Sequence, residues 1–453
     1  MKKARKIIAL AMSFMLVMSM GIFAFGASAE SDYTIVSPYE DVIWSGDNAW
    51  GAYKGTIHSH TTYSDGGVDL ATMVKEYYAQ DYDFLANADH GITGVEWNKT
   101  PALQLLYAYQ PLLGYKYQNL TDSEFEQIQN GTYNGRGKGM TCVTGANELN
   151  NLSLTKNHVN GFFLPSNVGN GFGGVENEAG YDLALKFIED NGGLSHINHP
   201  GDWLETNADP EAVNDKKNVE FFGNLLLKYD SCTGIEVLNE ANGTTGYDRI
   251  LWDNLLMYCL PYGKNVIGFS NTDAHSIQNI DSSFSVFMME ENTVENVKET
   301  MQNGALFAVT RVLRGNEFEI GPAEGFDVRN SGLDYPMFTS LVVDGHKITV
   351  TAKASQELQW IADGKVIYKG TIGTEPVTID LDEIDGAADF TYVRAELKGE
   401  GGMCLSQALV IDDGSEALEF DESALRYDPI YIFSSGKIWA IISELIRAIK
   451  NAF

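Results

Sequence analysis

The sequence is poor in positive charge. Of its 453 residues, 62 are acidic and only 31 are basic, so the formal net charge is -31 at pH 7. A surface this anionic repels phosphate backbones, which excludes a nucleic acid as a general partner. A small phosphorylated substrate would need a local source of positive charge. Hydrophobic residues make up 44% of the chain, which is enough to build the cores of two or three domains.

Cysteine is scarce as well, and its four copies are scattered. Cys142, Cys232, Cys259 and Cys404 form no Cys-x-x-Cys pair, so a disulfide-built scaffold is not indicated and buried free thiols are expected. The sequence also lacks the Gly-x-Ser-x-Gly motif of serine hydrolases and the phosphate-binding loop of nucleotide hydrolases. Two common hydrolytic mechanisms are therefore excluded.

The first 29 residues have the three parts of a secretory signal peptide. A basic start (2–6) precedes an apolar run (7–25) and an Ala-Ser-Ala cleavage site (27–29). We expect cleavage and secretion. The alternative is an uncleaved membrane anchor, because the apolar run is about long enough to span a bilayer. The segment contains no cysteine, so a lipid-modified N-terminal cysteine is not expected.

Strand-like and helix-like patterns alternate between about residues 50 and 310. Strands are predicted at 53–58, 82–88, 140–146, 159–164, 193–198, 233–239 and 265–272, and helices at 68–80, 181–190, 247–260 and 294–302. This alternation predicts an α/β barrel or a doubly wound sheet. Residues 94–139 interrupt it with aromatic, Asn- and Gly-rich sequence, and we interpret them as an insertion.

The pattern changes to alternating strands near residue 338. Asp344-Gly345 and Asp363-Gly364 are typical hairpin turns, so residues 336–412 are predicted to form a small all-β accessory domain. An acidic linker and an amphipathic helix at 437–453 complete the chain, within 413–453. That helix either contacts a membrane surface or docks on the protein's own core.

Histidine is rare, but its positions are informative. Seven of the eight histidines lie between residues 58 and 275, at the edges of the predicted strands. His58-x-His60 and Asp273-x-His275 each place two side chains on one side of a strand, because side chains repeat every two residues. The carboxyl ends of parallel strands meet at one edge of a sheet, so these ligands should converge there.

The converging side chains offer nitrogen and oxygen donors without cysteine. The candidates are His58, His60, Asp65, His90, Glu148, His158, His196, His199, Asp273 and His275. Such a donor set suits Zn, Mn or Fe, and its size implies two or three divalent ions. These ions would supply the positive charge that the rest of the chain lacks.

The motifs that carry these residues resemble the PHP (polymerase and histidinol phosphatase) family of metal-dependent phosphoesterases, and within it the CehA/McbA-like branch. They are His-Ser-His at 58–60, Ser-Asp-Gly at 64–66, Ala-Asp-His-Gly at 88–91, Gly-Ala-Asn-Glu at 145–148, Asn-His-Val-Asn at 157–160, Asn-His-Pro-Gly at 198–201 and Ser-Asn-Thr-Asp-Ala-His at 270–275. The resemblance covers roughly residues 50–315. It implies a distorted seven-stranded (β/α) barrel within 30–335 and a bi- or trinuclear metal site.

The resemblance also implies which residues share an ion. One ion would be held by His58, His60, Glu148 and Asp273, a second by Asp65, His90 and His275, and a third by Glu148, His158 and His199. His196 lies outside this pattern and either orients a ligand or donates a proton to the leaving group. Lys156 and Arg311 are candidates to contact a phosphate, and each is also explained as a surface charge.

The expected function is therefore hydrolysis of a small phosphoester by a secreted enzyme, in which a hydroxide that bridges the metal ions attacks phosphorus. One alternative uses the same metal centre to hydrolyse a carboxylic ester, carbamate or amide. Another, of a different class, is a non-catalytic cell-surface binding protein that keeps the barrel as a scaffold.

Overall fold

The computed structural model describes residues 33–102, 114–150, 155–166, 174–240, 246–313 and 325–432. The predicted signal peptide (1–29) and the predicted terminal helix (437–453) lie outside these residues. Among the helices that are described, none is long and apolar enough to cross a bilayer.

The first part of the chain is mixed α/β. Its strands are β1 (Thr34–Val36), β2 (Gly51–Thr56), β3 (Phe84–Leu85), β4 (Thr141–Cys142), β5 (Asn147–Leu149), β6 (Val159–Phe162), β7 (Leu194–Ile197), β8 (Cys232–Asn239), β9 (Ile267–Asn271), β10 (Ser283–Met289) and β11 (Leu306–Thr310). Its helices are α1 (Leu70–Ala79), α2 (Asp122–Asn130), α3 (Ala179–Asp190), α4 (Pro200–Trp203), α5 (Lys216–Lys228), α6 (Asp248–Cys259) and α7 (Val294–Asn303). Each predicted strand run overlaps an observed strand, whereas α2, α4 and α5 were not predicted.

The second part is rich in strands, as expected from its alternating pattern. These are β12 (Val312–Leu313), β13 (Phe326–Asp327), β14 (Met337–Asp344), β15 (Lys347–Lys353), β16 (Glu357–Ala362), β17 (Lys365–Thr371), β18 (Val377–Asp380), β19 (Tyr392–Gly399), β20 (Gly402–Leu405) and β21 (Leu409–Asp412). The predicted Asp-Gly turns join β14 to β15 and β16 to β17, and both glycines have positive φ angles.

Helix ends follow the signals in the sequence. The Thr293 side chain accepts a hydrogen bond from the Asn296 amide at the start of α7, and Gly304 ends the helix with a φ of 78°. At the start of α1, the Asp69 side chain accepts from the Thr72 amide in the same way. Local capping therefore fixes where these two helices begin.

The strands of the first part are not all parallel. The runs β2–β3–β4 and β7–β8–β9 are parallel, but β6 is antiparallel to both β5 and β7, and β10 is antiparallel to β2 and β11. The strands β5 to β9 form one sheet. Single-residue bridges join it to the strand ends of the other sheet, from Ser59 to Ala274 and from His90 to Glu148. The predicted ligands lie at this junction.

The predicted accessory domain shares a sheet with the first part of the chain. β20 pairs with β11 in antiparallel register, so one sheet runs in the order β1-β21-β19-β20-β11-β10-β2-β3-β4. Strands on both sides of the predicted boundary at residue 335 therefore belong to one hydrogen-bonded unit. A separate sheet, β14-β15-β18, packs beside it.

One hydrophobic cluster also crosses this boundary. It contains Trp252 of α6 together with Tyr392 of β19 and Leu405 of β20. Cys232 and Cys259 belong to the same cluster. The expectation for cysteine is confirmed, because all four thiols are buried and free. Burial raises the pKa of the Cys232 thiol to about 11, so it is un-ionised at neutral pH.

A buried ion network adds a polar connection between the two parts. Arg394 of β19 donates to Asp253 of α6 at 2.6 and 2.7 Å and to Glu396 at 2.7 Å. All three side chains are at most 1% exposed. Burial disfavours the charge of Arg394, but Asp253 and Glu396 outweigh burial and raise its pKa. Each charge in the network therefore depends on the others.

We expect the substitution Arg394→Met to lower the free energy of unfolding by about 3–5 kcal/mol, because it removes the cation that two buried carboxylates, Asp253 and Glu396, share. Urea denaturation of the metal-free protein measures this. Lys186→Ala, which removes an exposed ion pair within α3, is the control and should change stability little. An equal effect of the two substitutions would contradict the prediction.

Candidate metal centre

All nine side chains predicted as metal ligands lie together where the two sheets meet. Donor atoms of His60, Asp65, His90 and His275 lie within 4.8 Å of one another, as do those of His58, His60 and Glu148, and those of His90, Glu148 and His158. Asp273 and His199 complete the cluster. Asp273 Oδ1 lies 3.1 Å from His60 Nε2, and His199 Nε2 lies 3.4 Å from Glu148 Oε1. The structure thus brings together residues that are up to 217 positions apart, from 58 to 275.

Glu148 is the centre of the cluster, in the middle of β5 and 1% exposed. Five imidazoles surround its carboxylate: Oε1 lies 3.1 Å from His158 Nδ1, 3.3 Å from His58 Nε2 and 3.4 Å from His199 Nε2, and Oε2 lies 2.9 Å from His90 Nδ1 and 3.2 Å from His60 Nε2. The Asn198 side-chain amide also donates to Oε1 at 2.7 Å. This carboxylate is placed to be shared between ions.

Main-chain hydrogen bonds hold the two His-bearing strand ends in register. The His60 amide donates to the Ala274 carbonyl at 3.0 Å, and the Asp273 amide donates to the His58 carbonyl at 3.0 Å. Asp273 and His199 have φ angles of 43° and 25°, which are costly for residues other than glycine. The main chain is therefore held in an unfavourable conformation where these two ligands project.

Asp89 fixes the loop that carries Asp65. Its carboxylate accepts hydrogen bonds from the Thr61 amide at 2.7 Å, the Thr61 hydroxyl at 2.8 Å and the Ser64 hydroxyl at 2.7 Å. Asp65 then lies 3.4 Å from both His90 and His275. Asp89 belongs to the Ala-Asp-His-Gly motif, but the sequence did not indicate this role.

The direction of β6 explains the position of His158, which precedes its strand while other ligands follow theirs. Because β6 is antiparallel to β7, its first residue, Val159, is paired with the last residue of β7, Ile197. The start of β6 and the end of β7 therefore lie at the same edge, where the Asn198 amide donates to the His158 carbonyl. A parallel strand would place His158 at the opposite edge.

The cluster strongly favours the ionised form of its central carboxylate. Burial alone would raise the pKa of Glu148, but the imidazoles of His90, His158 and His58 outweigh burial and hold this pKa well below its ordinary value. Glu148 is therefore an anion at neutral pH, as a metal-bridging carboxylate must be.

Two imidazoles of the cluster, those of His275 and His199, retain protons for the same reason. Burial opposes protonation of His275, yet Asp65 and Asp273 raise its pKa to about 10. Burial likewise opposes protonation of His199, but a hydrogen bond that its ring donates to Glu148, together with the charge of Asp273, raises its pKa to about 9. Metal binding must displace these protons, so uptake of metal is expected to release protons at pH 7.

The residues present fit divalent cations. Two buried carboxylate oxygens, Glu148 Oε2 and Asp273 Oδ1, have no aligned hydrogen-bond donor among the residues that the structure describes. A bound cation would satisfy both oxygens. The donors are imidazole nitrogens and carboxylate oxygens, the ligands that Zn, Mn and Fe share.

The other three predicted site residues are placed differently. His196 is fully buried, and its ring packs against Phe162 and Phe269, with the Asn271 amide 3.4 Å from Nε2. Burial lowers its pKa to about 4, so it is neutral at pH 7.

The two basic candidates are both engaged by carboxylates. Lys156 is about half exposed, 3.4 Å from Glu205, whereas Arg311 is buried and donates to Asp281 at 2.9 Å. Arg311 also donates to the Leu333 carbonyl at 2.7 Å. Arg311 therefore connects the segments around Asp281 and Leu333.

Sequence reasoning missed Glu236, which lies in β8 beside His58. The signal was present, because Glu236 is a lone carboxylate among the apolar residues of a predicted strand. No histidine follows that strand, so the strand-end pattern does not point to it.

No protein-family model matches the chain, and the comparison with curated proteins gives no match. Solved structures do resemble it. One is a two-domain protein from Bacteroides vulgatus that contains a predicted PHP-like metal-dependent phosphoesterase; the identity is 16%, the likeness covers 82% of this chain and 99% of that chain, and the TM-score is 0.40. Another is named as a metal-dependent phosphoesterase from Bifidobacterium adolescentis, with 13% identity, 50% and 89% coverage and a TM-score of 0.27.

We expect Glu148→Gln to bind at least about one metal ion fewer per chain than the unmodified protein, because an amide cannot offer two anionic oxygens to neighbouring cations. Elemental analysis after dialysis against zinc or manganese measures this. Glu211→Gln, at an exposed turn before α5, is the control and should bind metal as the unmodified protein does. Equal metal content in all three proteins would refute the prediction.

Proposed function

We propose that this chain is a secreted metal-dependent hydrolase that cleaves a phosphoester of a small molecule. In this proposal residues 30–335 form a distorted seven-stranded barrel of the PHP type, in the CehA/McbA-like branch. One observation carries the proposal: a single buried carboxylate, Glu148, lies within 3.4 Å of five imidazoles from four strand ends. A carboxylate surrounded by this many potential metal ligands suits a site for several cations.

Two or three bound ions would supply an activated water and positive charge for the phosphoryl group. The chain's own residues hold the ligands in place. Asn198 fixes the Glu148 carboxylate, Asp89 fixes the loop of Asp65, and the hydrogen bonds between residues 58–60 and 273–274 fix the two His-bearing strand ends. This rigidity keeps the donors in their positions throughout a reaction.

We assign His196 a positioning role. It is neutral at pH 7 because burial lowers its pKa to about 4, and two phenylalanine rings enclose it. A neutral, enclosed imidazole is poorly suited to protonate a leaving group. Its neighbour Asn271 donates to Glu236, which contacts His58, so hydrogen-bonded side chains connect His196 to a predicted ligand.

One observation favours the second candidate, hydrolysis of a carboxylic ester, carbamate or amide. Both basic residues expected to meet a phosphate, Lys156 and Arg311, are paired with carboxylates. A neutral substrate needs no such residue. The non-catalytic scaffold is less well supported, because burying this many charged groups is costly unless they serve a purpose.

We expect the purified protein to hydrolyse p-nitrophenyl phosphate or bis(p-nitrophenyl) phosphate after treatment with a chelator and addition of Mn²⁺ or Zn²⁺. Activity should be absent without added metal. His58→Ala should lower kcat/KM by at least about 100-fold. Loss of a residue that only hydrogen-bonds to a metal ligand already lowers metal affinity or activity by about 10–100-fold. His346→Ala is the matched control, because this histidine stacks on Tyr33, outside the cluster.

Hydrolysis of p-nitrophenyl acetate alone would overturn the phosphoester proposal and support the second candidate. The scaffold would be supported if the protein binds metal but hydrolyses none of the three esters, and if His58→Ala does not change the protein's function.

A further inference from the structure

Glu236 is a fully buried carboxylate in β8 that is not among the nine predicted ligands. Ile235, Val237 and Leu238 beside it are apolar. An isolated ionised carboxylate in such a strand would destabilise the fold by several kcal/mol. The groups that contact Glu236 therefore indicate why the strand contains a carboxylate.

Both oxygens of Glu236 are used by hydrogen-bond donors. Oε1 lies 2.8 Å from His58 Nδ1 and accepts from the Asn271 side-chain amide at 2.9 Å. Oε2 accepts from the His199 main-chain amide at 3.0 Å and from the Asn239 side-chain amide at 2.7 Å. The carboxylate is therefore fully occupied by the protein.

The contact to His58 determines which nitrogen of that ring faces the cluster. The Nδ1–H group donates to Glu236, so the lone pair of a neutral ring lies on Nε2. Nε2 lies 3.3 Å from Glu148 and 3.3 Å from Asp273. His58 is thus turned to offer Nε2 to a cation that these carboxylates share.

The contact to His199 acts on the main chain. His199 has a φ of 25° and precedes Pro200, which begins α4. A histidine in this left-handed region is strained, and the hydrogen bond from its amide to Glu236 helps to hold it there. The His199 side chain is thereby aimed at Glu148 and Asp273.

We propose that Glu236 is a positioning residue that orients two metal ligands at once, His58 through its ring and His199 through its main chain. This inference rests on the metal centre of the proposed function. It predicts that metal affinity depends on a carboxylate that does not itself bind metal.

The test compares Glu236→Gln with the unmodified protein in zinc binding, measured by competition with a chromophoric chelator. Glutamine keeps the shape of the side chain but replaces one carboxylate oxygen with an NH2 group. That group then faces hydrogen-bond donors and cannot accept from them. We expect zinc affinity to fall by roughly 10- to 100-fold. Glu396→Gln is the matched control, because Glu396 is equally buried but pairs with Arg394, and its zinc affinity should be unchanged.

A second measurement leaves Glu236 unchanged. In the zinc-loaded unmodified protein labelled with ¹⁵N-histidine, we expect the His58 ring to carry its proton on Nδ1, with assignment from the spectrum of His58→Ala. A His58 ring protonated on Nε2 would overturn the inference, as would equal zinc affinity of Glu236→Gln and the unmodified protein. If the unmodified protein binds less than about one ion per chain, both the inference and the proposed function fail.

Discussion

The structure depends on the compensation of buried charge around Glu148. Burying its carboxylate, or that of Asp273, without a partner would cost several kcal/mol each. His199 and His275 compensate part of this charge by retaining protons, because the carboxylates raise their pKa values to about 9 and about 10. Divalent ions would take over the same task. Stability of the fold and uptake of metal are therefore linked, because protons and cations compete for the same site.

The direction of the strands decides which side chains reach this site. Ligands that follow β2, β3, β7 and β9 meet at one edge, and the antiparallel β6 brings a residue that precedes its strand to the same edge. The sheet then continues through β10 and β11 into the accessory strands, and the buried pair of Arg394 with Asp253 reinforces that connection. The β-rich part is thus built into the framework that carries the ligands.

Much of this could be predicted from the sequence because it is encoded locally. The His-x-His and Asp-x-His spacings, the cap at Thr293 and the turn at Asp344-Gly345 each act over a few residues. Pairing between distant strands could not be predicted in this way. The continuity of β11 with β20, the antiparallel setting of β6 and the contact of Glu236 with His58 join residues about 40 to 180 positions apart. Arg311 was a phosphate candidate only because its partner Asp281 could not be identified from sequence.

The most direct test of the central claim is anomalous diffraction from crystals of the zinc- or manganese-loaded protein, recorded above and below the metal absorption edge. We predict two or three anomalous peaks between Glu148 and the surrounding imidazoles, with ligand distances of about 2.0–2.2 Å. Peaks confined to other parts of the surface, or none in metal-loaded crystals, would contradict the account.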